Sequence, residues 1–408
     1  MRRNGAFTAF VLLALLAAGC STTTVRTTQH QVALKSAVPI PEDQLLDVGI
    51  SIFDPGVDGK QQEQDAPSAA IRRAEARYMP YRLMQTLQRT GNWGVVRVIP
   101  DKRSQMNLWL DGKILKSDGA ELQLEITATD ASNRVWLHKT YTEQASKYAY
   151  DSNLKGNGED PFQGLYNRIA NDLLQYRQAS VSADDVRSLR TITDLRFARD
   201  FAPQAFDQYI SQDGSGRYVI KRLPASNDPL LTRIHRIRER DYMFVDTLQD
   251  YYGTFVREMD APYQDWRKQS YGEILKRDEL HKQATARGLG AVLVGLGTVA
   301  AIITGCGANN VYAANACNLG AIAGAAGTYY LGKSALDKGA EAKLHEQSLE
   351  ELSRSLNSEI QPHTLQLQDR TVTLSGTVDQ QYAQWRQILK EMYDNETGAT
   401  PAAAGAAE

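Results

Sequence analysis

Glu121-Leu122-Gln123-Leu124-Glu125-Ile126-Thr127-Ala128-Thr129-Asp130 alternates apolar and polar residues along its length. Successive side chains of a strand point to opposite faces, so Leu122, Leu124 and Ile126 fall on one face and Glu121, Gln123, Glu125 and Thr127 on the other. The pattern predicts one strand of a half-buried antiparallel sheet. Trp93–Ile99, Asn107–Lys116 and Arg134–Thr142 have the same character, separated by Pro100-Asp101, Ser117-Asp118-Gly119 and Ala131-Ser132-Asn133, whose residue types favour turns. Upstream, Leu45–Phe53 reads as a strand stopped by Asp54-Pro55-Gly56. Between them, Ile71, Ala74, Tyr78, Tyr81, Leu83, Met84 and Leu87 recur near helical spacing over 68–89. Pro80 is expected to kink or interrupt that helix, and Gly91 to end it. A second amphipathic helix carries Phe162, Leu165, Ile169, Leu173 and Leu174 and closes near Arg177. The order β-α-β-β-β-β-α over residues 45–178 predicts a compact α+β domain.

Working outward toward the N-terminus, Arg2 and Arg3 precede an apolar run from Ala6 to Ala18, too short to span a bilayer, and Leu16-Ala17-Ala18-Gly19-Cys20 closes it. This run resembles the signal and lipobox of bacterial lipoproteins. The resemblance implies cleavage before Cys20, a diacylglycerol and an N-acyl chain on that cysteine, and, because Ser21 follows it, delivery to the outer membrane with the periplasmic face as the expected side. Residues 21–44, rich in Thr, Ser and Gln, read as a flexible tether.

The α+β segment carries a second resemblance. An opening strand ends in Ile52-Phe53-Asp54, a helix ends in Leu87-Gln88-Arg89-Thr90-Gly91, and Trp93-Gly94-Val95-Val96-Arg97-Val98-Ile99 follows at once. This succession resembles the N-terminal domain of the Tol-system periplasmic propeller protein and the periplasmic domain of the curli secretion lipoprotein, over about a third of the chain. No pair of amphipathic barrel-forming strands like those of the curli channel is evident.

Residues 179–287 read as mostly helical, interrupted at Gly214, Gly216, Pro224 and Pro262, with Arg233–Asp241 as a solvated face. Tyr242, Phe244, Tyr251, Tyr252, Phe255, Tyr263 and Trp266 allow two readings, helix-packing core or an aromatic groove for a glycan. Residues 288–332 then contain no Asp, Glu, Lys or Arg. Gly297, Ala301 and Gly305 in the first arm and Gly320 and Gly324 in the second recur at fourfold spacing, which lets helix backbones approach closely. This resembles the glycine-zipper segments of several outer-membrane lipoproteins. A buried helical hairpin, a membrane-inserting hairpin and a self-oligomer seam all remain open, since each arm is short for a bilayer. Cys306 and Cys317 in its polar middle are a pair able to form a disulfide in an oxidising periplasm. The G-x-G-x-x-A of Gly295–Ala300 lacks the acidic residue that a dinucleotide site needs about 20 residues later. Residues 333–396 read as a helix, a β-hairpin with Asp369-Arg370 at its turn, and a last helix whose Tyr382, Trp385 and Tyr393 form either a partner-docking face or a lid on the core; residues 397–408 read as a disordered tail.

Net charge −2 gives no basic field for nucleic acid. The six histidines have no metal-ligand spacing, and neither a nucleophile elbow nor a P-loop occurs, Asp213-Gly214-Ser215-Gly216 included. The expectation is a non-catalytic, lipid-anchored envelope protein without cofactor or metal, whose partners are the membrane and envelope proteins or further copies of itself. A glycan-binding or glycan-processing protein is the alternative.

Overall fold

The computed structural model describes residues 31–57, 66–146, 148–151, 159–225, 227–286, 363–366 and 371–397. The fold is α+β. Its centre is a five-stranded sheet of β1 (Val48–Ser51), β2 (Val96–Ile99), β3 (Leu108–Ser117), β4 (Glu121–Asp130) and β5 (Val135–Gln144), in the order β2-β1-β3-β4-β5. Every second residue of β4 is buried, and Leu122, Leu124, Ile126 and Ala128 are fully so.

The sheet is mixed rather than wholly antiparallel. β3, β4 and β5 form an antiparallel meander, but β1 pairs in parallel with both β2 and β3. The reason is the helix between β1 and β2: α1 (Ala66–Thr90) returns the chain to the starting end of β1, which makes the next strand parallel to it. The β4–β5 turn is organised by Asp130, whose buried carboxylate accepts from the backbone N–H groups of Ser132 and Arg134 and from the indole of Trp136. Asn133 takes the left-handed conformation there, at φ 68°.

Pro80 does not break α1. A proline leaves the carbonyl four residues earlier without its helical donor, and here that carbonyl, of Ala76, accepts the N–H of Phe53 at 2.9 Å. The interruption thus becomes a joint between the helix and the end of β1. Gly91 follows the last turn at φ 67°, as a left-handed helix stop.

The helix α2 (Gln163–Ser180) packs under β5. It is followed by α3 (Ala183–Phe201), started by a capping box between Ser182 and Asp185, and by the short α4 (Pro203–Phe206). Residues 179–287 are not all helical: β6 (Ile210–Gln212) and β7 (Tyr218–Ile220) form a hairpin around Asp213–Gly216. The helix α5 (Pro229–Ala286) then runs for 58 residues, straight through Pro262. Glu258, whose carbonyl loses its donor there, is exposed, so water can replace the missing bond. β8 (His363–Gln366) and β9 (Thr371–Leu374) form a second hairpin before α6 (Val378–Thr397). One hydrophobic cluster runs from Leu46 to Tyr393, so α3, α5 and α6 share the core of the α+β unit.

Two further readings are corrected by packing. Residues 31–44 are not a free tether: Asn167 and Asn171 donate to the carbonyls of Gln31 and Val32, Asn92 donates to that of Leu34, and Asn171 and Asn92 accept the N–H groups of Leu34 and Ser36. Arg177 and Arg190 hold the carbonyls of Gln44 and Asp43. In the charged run Arg233–Asp241, Asp241 is fully buried beneath α6 rather than solvated.

Because Ala76 already has its donor, Pro80→Ala should not yield the gain of about 3 kcal/mol normal for removing a mid-helix proline. The expected change in denaturant unfolding is less than about 1 kcal/mol, since the proline also restricts the unfolded chain. A gain above about 2 kcal/mol would show that Pro80 strains the helix.

Candidate functional site

The ionisable residues of the interior collect where α5 crosses the body. Arg267 is fully buried, and its Nη1 donates to Asp160 at 2.8 Å, with both side chains at 0% exposure. Asp160 immediately precedes the first turn of α2 and also accepts the N–H of Phe162. The Arg267 guanidinium lies 3.9 Å from the centroid of the Tyr263 ring and 5.1 Å from that of Phe162. Its Nε and Nη2 have no hydrogen-bond partner among the described residues, so these rings carry the rest of its stabilisation. Burial works against the charge of Asp160, but Arg267 and Arg82 outweigh it and hold the carboxyl below its ordinary range.

A second carboxyl lies beside this pair. Glu75 of α1 accepts the hydroxyls of Ser117 and Tyr263, at 2.5 and 2.6 Å, and stands 3.8 Å from Arg72. Burial dominates here and raises its pKa. Two buried carboxyls thus differ in acidity because one faces guanidinium groups closely and the other faces hydroxyls. Tyr78 bridges outward, donating to Asp260 at 2.7 Å. The β3–β4 turn closes the top: a Cβ on Gly119 would lie 2.4 Å from the carbonyl oxygen of Arg267, and Gly119 itself has φ +81°. Only glycine fits this approach.

Among the described residues, neither Glu75 nor Asp160 lines any of three cavities, although Arg82, 4.0 Å from Asp160, borders one of them. One of about 170 Å³ lies between Val32, Ala33 and Arg89, Gln163, Asn167; one of about 260 Å³ lies between β9 and α6; an open one of about 540 Å³ is lined by Arg82, Gln85, Gln88 and Arg89. The arrangement of Glu75, Asp160 and Arg267 is therefore a clasp, binding α1, the β3–β4 turn and the start of α2 to α5.

Two more junctions repeat the device. At the edge strand β2, Gln249 of α5 accepts the N–H of Val98 and donates to its carbonyl, at 2.9 and 2.8 Å, in place of a neighbouring strand. Arg97 beside it makes a bidentate pair with Asp246, at 2.6 and 2.9 Å. Under α6, Arg386 lies over Phe201 and stands 3.6 Å from Asp200 and 3.8 Å from Asp241. Burial pushes the Asp241 carboxyl up to about 6, against the opposing effects of Arg386, the Tyr382 hydroxyl, Arg238 and Arg103.

Eight of the residues singled out from the sequence fall outside the described residues: Cys20, the pair Cys306 and Cys317, and Gly297, Ala301, Gly305, Gly320 and Gly324. Tyr382, Trp385 and Tyr393 are not a docking face. All three are buried, and Tyr382 and Trp385 stack on Phe244 of α5 at 6.3 and 5.4 Å, so α6 is a lid on the core. The aromatic residues of α5 form no open groove either: Phe244, Tyr252, Phe255 and Tyr263 are buried, and Trp266 is stacked on Tyr263. Arg267, Asp160, Glu75 and Gln249 were not singled out from the sequence. Asp160, just ahead of a helix, carried the one readable signal, that of a capping residue.

Removing Arg267 leaves Asp160 buried without its closest countercharge. Arg267→Met is expected to cost about 3–5 kcal/mol in denaturant unfolding, and the double variant Arg267→Met/Asp160→Asn less than the sum of the two single losses. Strict additivity would mean that the pair is not coupled. For Asp241, a folded-state pKa above the unfolded one means the folded chain binds more protons between about pH 4 and 6, so stability falls as pH rises through that window. Asp241→Asn should flatten this slope; an unchanged slope would assign it to other carboxyls.

Among the described residues, no helix is long and apolar enough to cross a membrane, and no group of three or more His, Cys, Asp or Glu side chains could hold a metal ion. In comparisons with known proteins, no family model matches the chain, and neither a curated protein nor a solved structure matches it.

Proposed function

We propose that the chain is a lipid-anchored protein of the outer membrane that acts by protein–protein contact in outer-membrane assembly, secretion or the building of surface structures, without catalysing a reaction. Cys20 supplies the anchor. The α+β body, with its resemblance to the Tol and curli domains, is the part that meets envelope proteins, and residues 288–332 add a second attachment to the membrane or to further copies of the chain.

The observation that carries this reading is the length and fixing of α5. Its 58 residues rise about 87 Å at 1.5 Å per residue, whereas a compact body of this size is about 45 Å across. It is pinned at three places, by Gln249 on β2, by the Arg267 clasp and by α6. Ile274 and Leu275 still pack against the buried cluster, and the helix continues from there to Ala286. That end stands next to the uncharged stretch beginning at Gly288. A strut held rigidly at one end and delivering an uncharged segment at the other suits attachment over a distance. The buried carboxyls support the same reading, because Glu75 is bonded to Tyr263 and Asp160 to Arg267, both residues of α5.

The anchor is tested by expressing the full chain in a diderm host and weighing the mature protein. The expected mass begins at Cys20 with three acyl chains, and Cys20→Ser should move the protein from the membrane to the soluble fraction. Deleting residues 288–332 from the Cys20→Ser form should then abolish residual vesicle flotation or self-association. An unmodified Cys20 overturns the anchor. Unchanged flotation and oligomeric state after the deletion overturn the role of the stretch.

A further inference from the structure

We infer that the face carrying residues 32–38, together with Arg89, lies flat against the phospholipid headgroups. This rests on the lipid anchor at Cys20 and adds an orientation to it. Three of the ten large apolar side chains exposed among the described residues fall within seven positions: Val32 is 64% exposed, Leu34 56% and Val38 74%. Apolar groups crowded in this way on a surface otherwise polar mark a contact site.

Their backbone is fixed. Asn92, Asn167 and Asn171 hold Gln31, Val32, Leu34 and Ser36 through backbone bonds, so the three side chains are presented rather than left to collapse onto the core. The bonding is from side-chain amides of α2 and of the loop after α1 to main chain, a use of buried surface that leaves the segment's own side chains facing out.

Chain length selects the lipid surface as the occupant. Ten residues, 21–30, lie between Cys20 and Gln31, and the eleven Cα–Cα steps allow at most about 40 Å when fully extended. The body is about 45 Å across, so turning its opposite side to the bilayer would need the link nearly straight and wrapped around the body. The cations of this face outnumber its one cavity-lining acid: Lys35 and Arg89 are exposed beside the apolar residues, Arg89 lines a cavity with Val32, Ala33 and Glu159, and Arg82 and Arg89 line the open cavity next to it. Phosphate groups of the lipid suit these guanidinium groups. The acyl chains on Cys20 hold the chain to the bilayer, and a second contact of apolar and cationic residues sets how the body lies on it.

The test replaces residues 1–20 with a hexahistidine tag, so the artificial tether stands in for the native lipid. In a Cys306→Ser/Cys317→Ser background, Leu34→Cys is labelled with an environment-sensitive dye, and Met243→Cys, an exposed position on α5 outside the proposed face, serves as reference. Vesicles of phosphatidylcholine, phosphatidylglycerol and a nickel-chelating lipid capture both proteins. The expected result is a blue shift of the dye at position 34 and its quenching by acyl-chain quenchers, with neither at position 243. Val32→Asp/Val38→Asp in the same background should abolish the shift while capture persists. A captured protein whose dye at position 34 is unshifted, or shifts no more than at position 243, overturns the inference. Failure of the anchor itself is read separately, from the mass of Cys20 in the native chain.

Discussion

The pair of Arg267 and Asp160 is the constraint on which the arrangement of the molecule depends. It links the longest helix to the loop that starts α2, and the same guanidinium stacks on Tyr263, whose hydroxyl is bonded to Glu75 of α1. Through Gly119, the β3–β4 turn rests on the backbone of Arg267 itself. Four elements distant in sequence therefore meet at one residue. Charges in such surroundings add little net stability compared with apolar substitutes, but a mismatched partner is costly. That asymmetry suits a part whose task is to fix one register of α5, because sliding the helix by a turn would strand Arg267 against apolar groups and leave Asp160 without its closest partner.

The contrast between Asp160, Glu75 and Asp241 follows from geometry alone. All three are fully buried, and burial by itself would keep all three protonated. Asp160 has a guanidinium nitrogen at 2.8 Å and a backbone N–H, and stays charged. Glu75 has hydroxyl donors and no guanidinium closer than 3.8 Å. Asp241 has Arg386 at 3.8 Å, a distance too long for a direct hydrogen bond, and burial prevails. The central clasp is thus held by charge in neutral solution, whereas the seat of α6 contains a proton-dependent group.

The sheet and its flanking helices were legible because their signals are local. The alternation in Glu121–Asp130, the turn residues around it and the spacing of Leu165, Ile169 and Leu173 each specify a face without reference to distant residues. Strand direction was not legible: whether β1 pairs parallel or antiparallel depends on the helix that intervenes, and the alternation is the same in both cases. Pro80 and Pro262 misled for a related reason. The local rule says that a carbonyl loses its donor, but whether another donor arrives is decided by Phe53 in one case and by exposure in the other. The clasp was invisible because Arg267 and Asp160 are 107 residues apart and each has an innocuous neighbourhood in sequence. The aromatic residues from Tyr242 to Trp266 left core and groove both open in sequence, because helical spacing is the same in either case; packing against the body decides for core.

Under the proposed function, the docked N-terminal segment and the far end of α5 are two attachment points of different kind. The first is short and local: the asparagine amides bind a stretch whose exposed valines and leucine face outward, and a link of ten residues to Cys20 allows little freedom. The second stands at the end of a helix that outruns the body. If both meet membrane, the body is held at an angle fixed by α5, and the Arg267 clasp determines that angle; if the second meets another copy, the same helix sets the spacing between bodies. In either arrangement the free faces are those away from α2, including the outer side of the sheet, where Glu121, Gln123, Glu125 and Thr127 are only partly buried. On the proposed function, this half-covered polar face is the surface the body turns to a partner, and its polar residues suit one that binds and leaves.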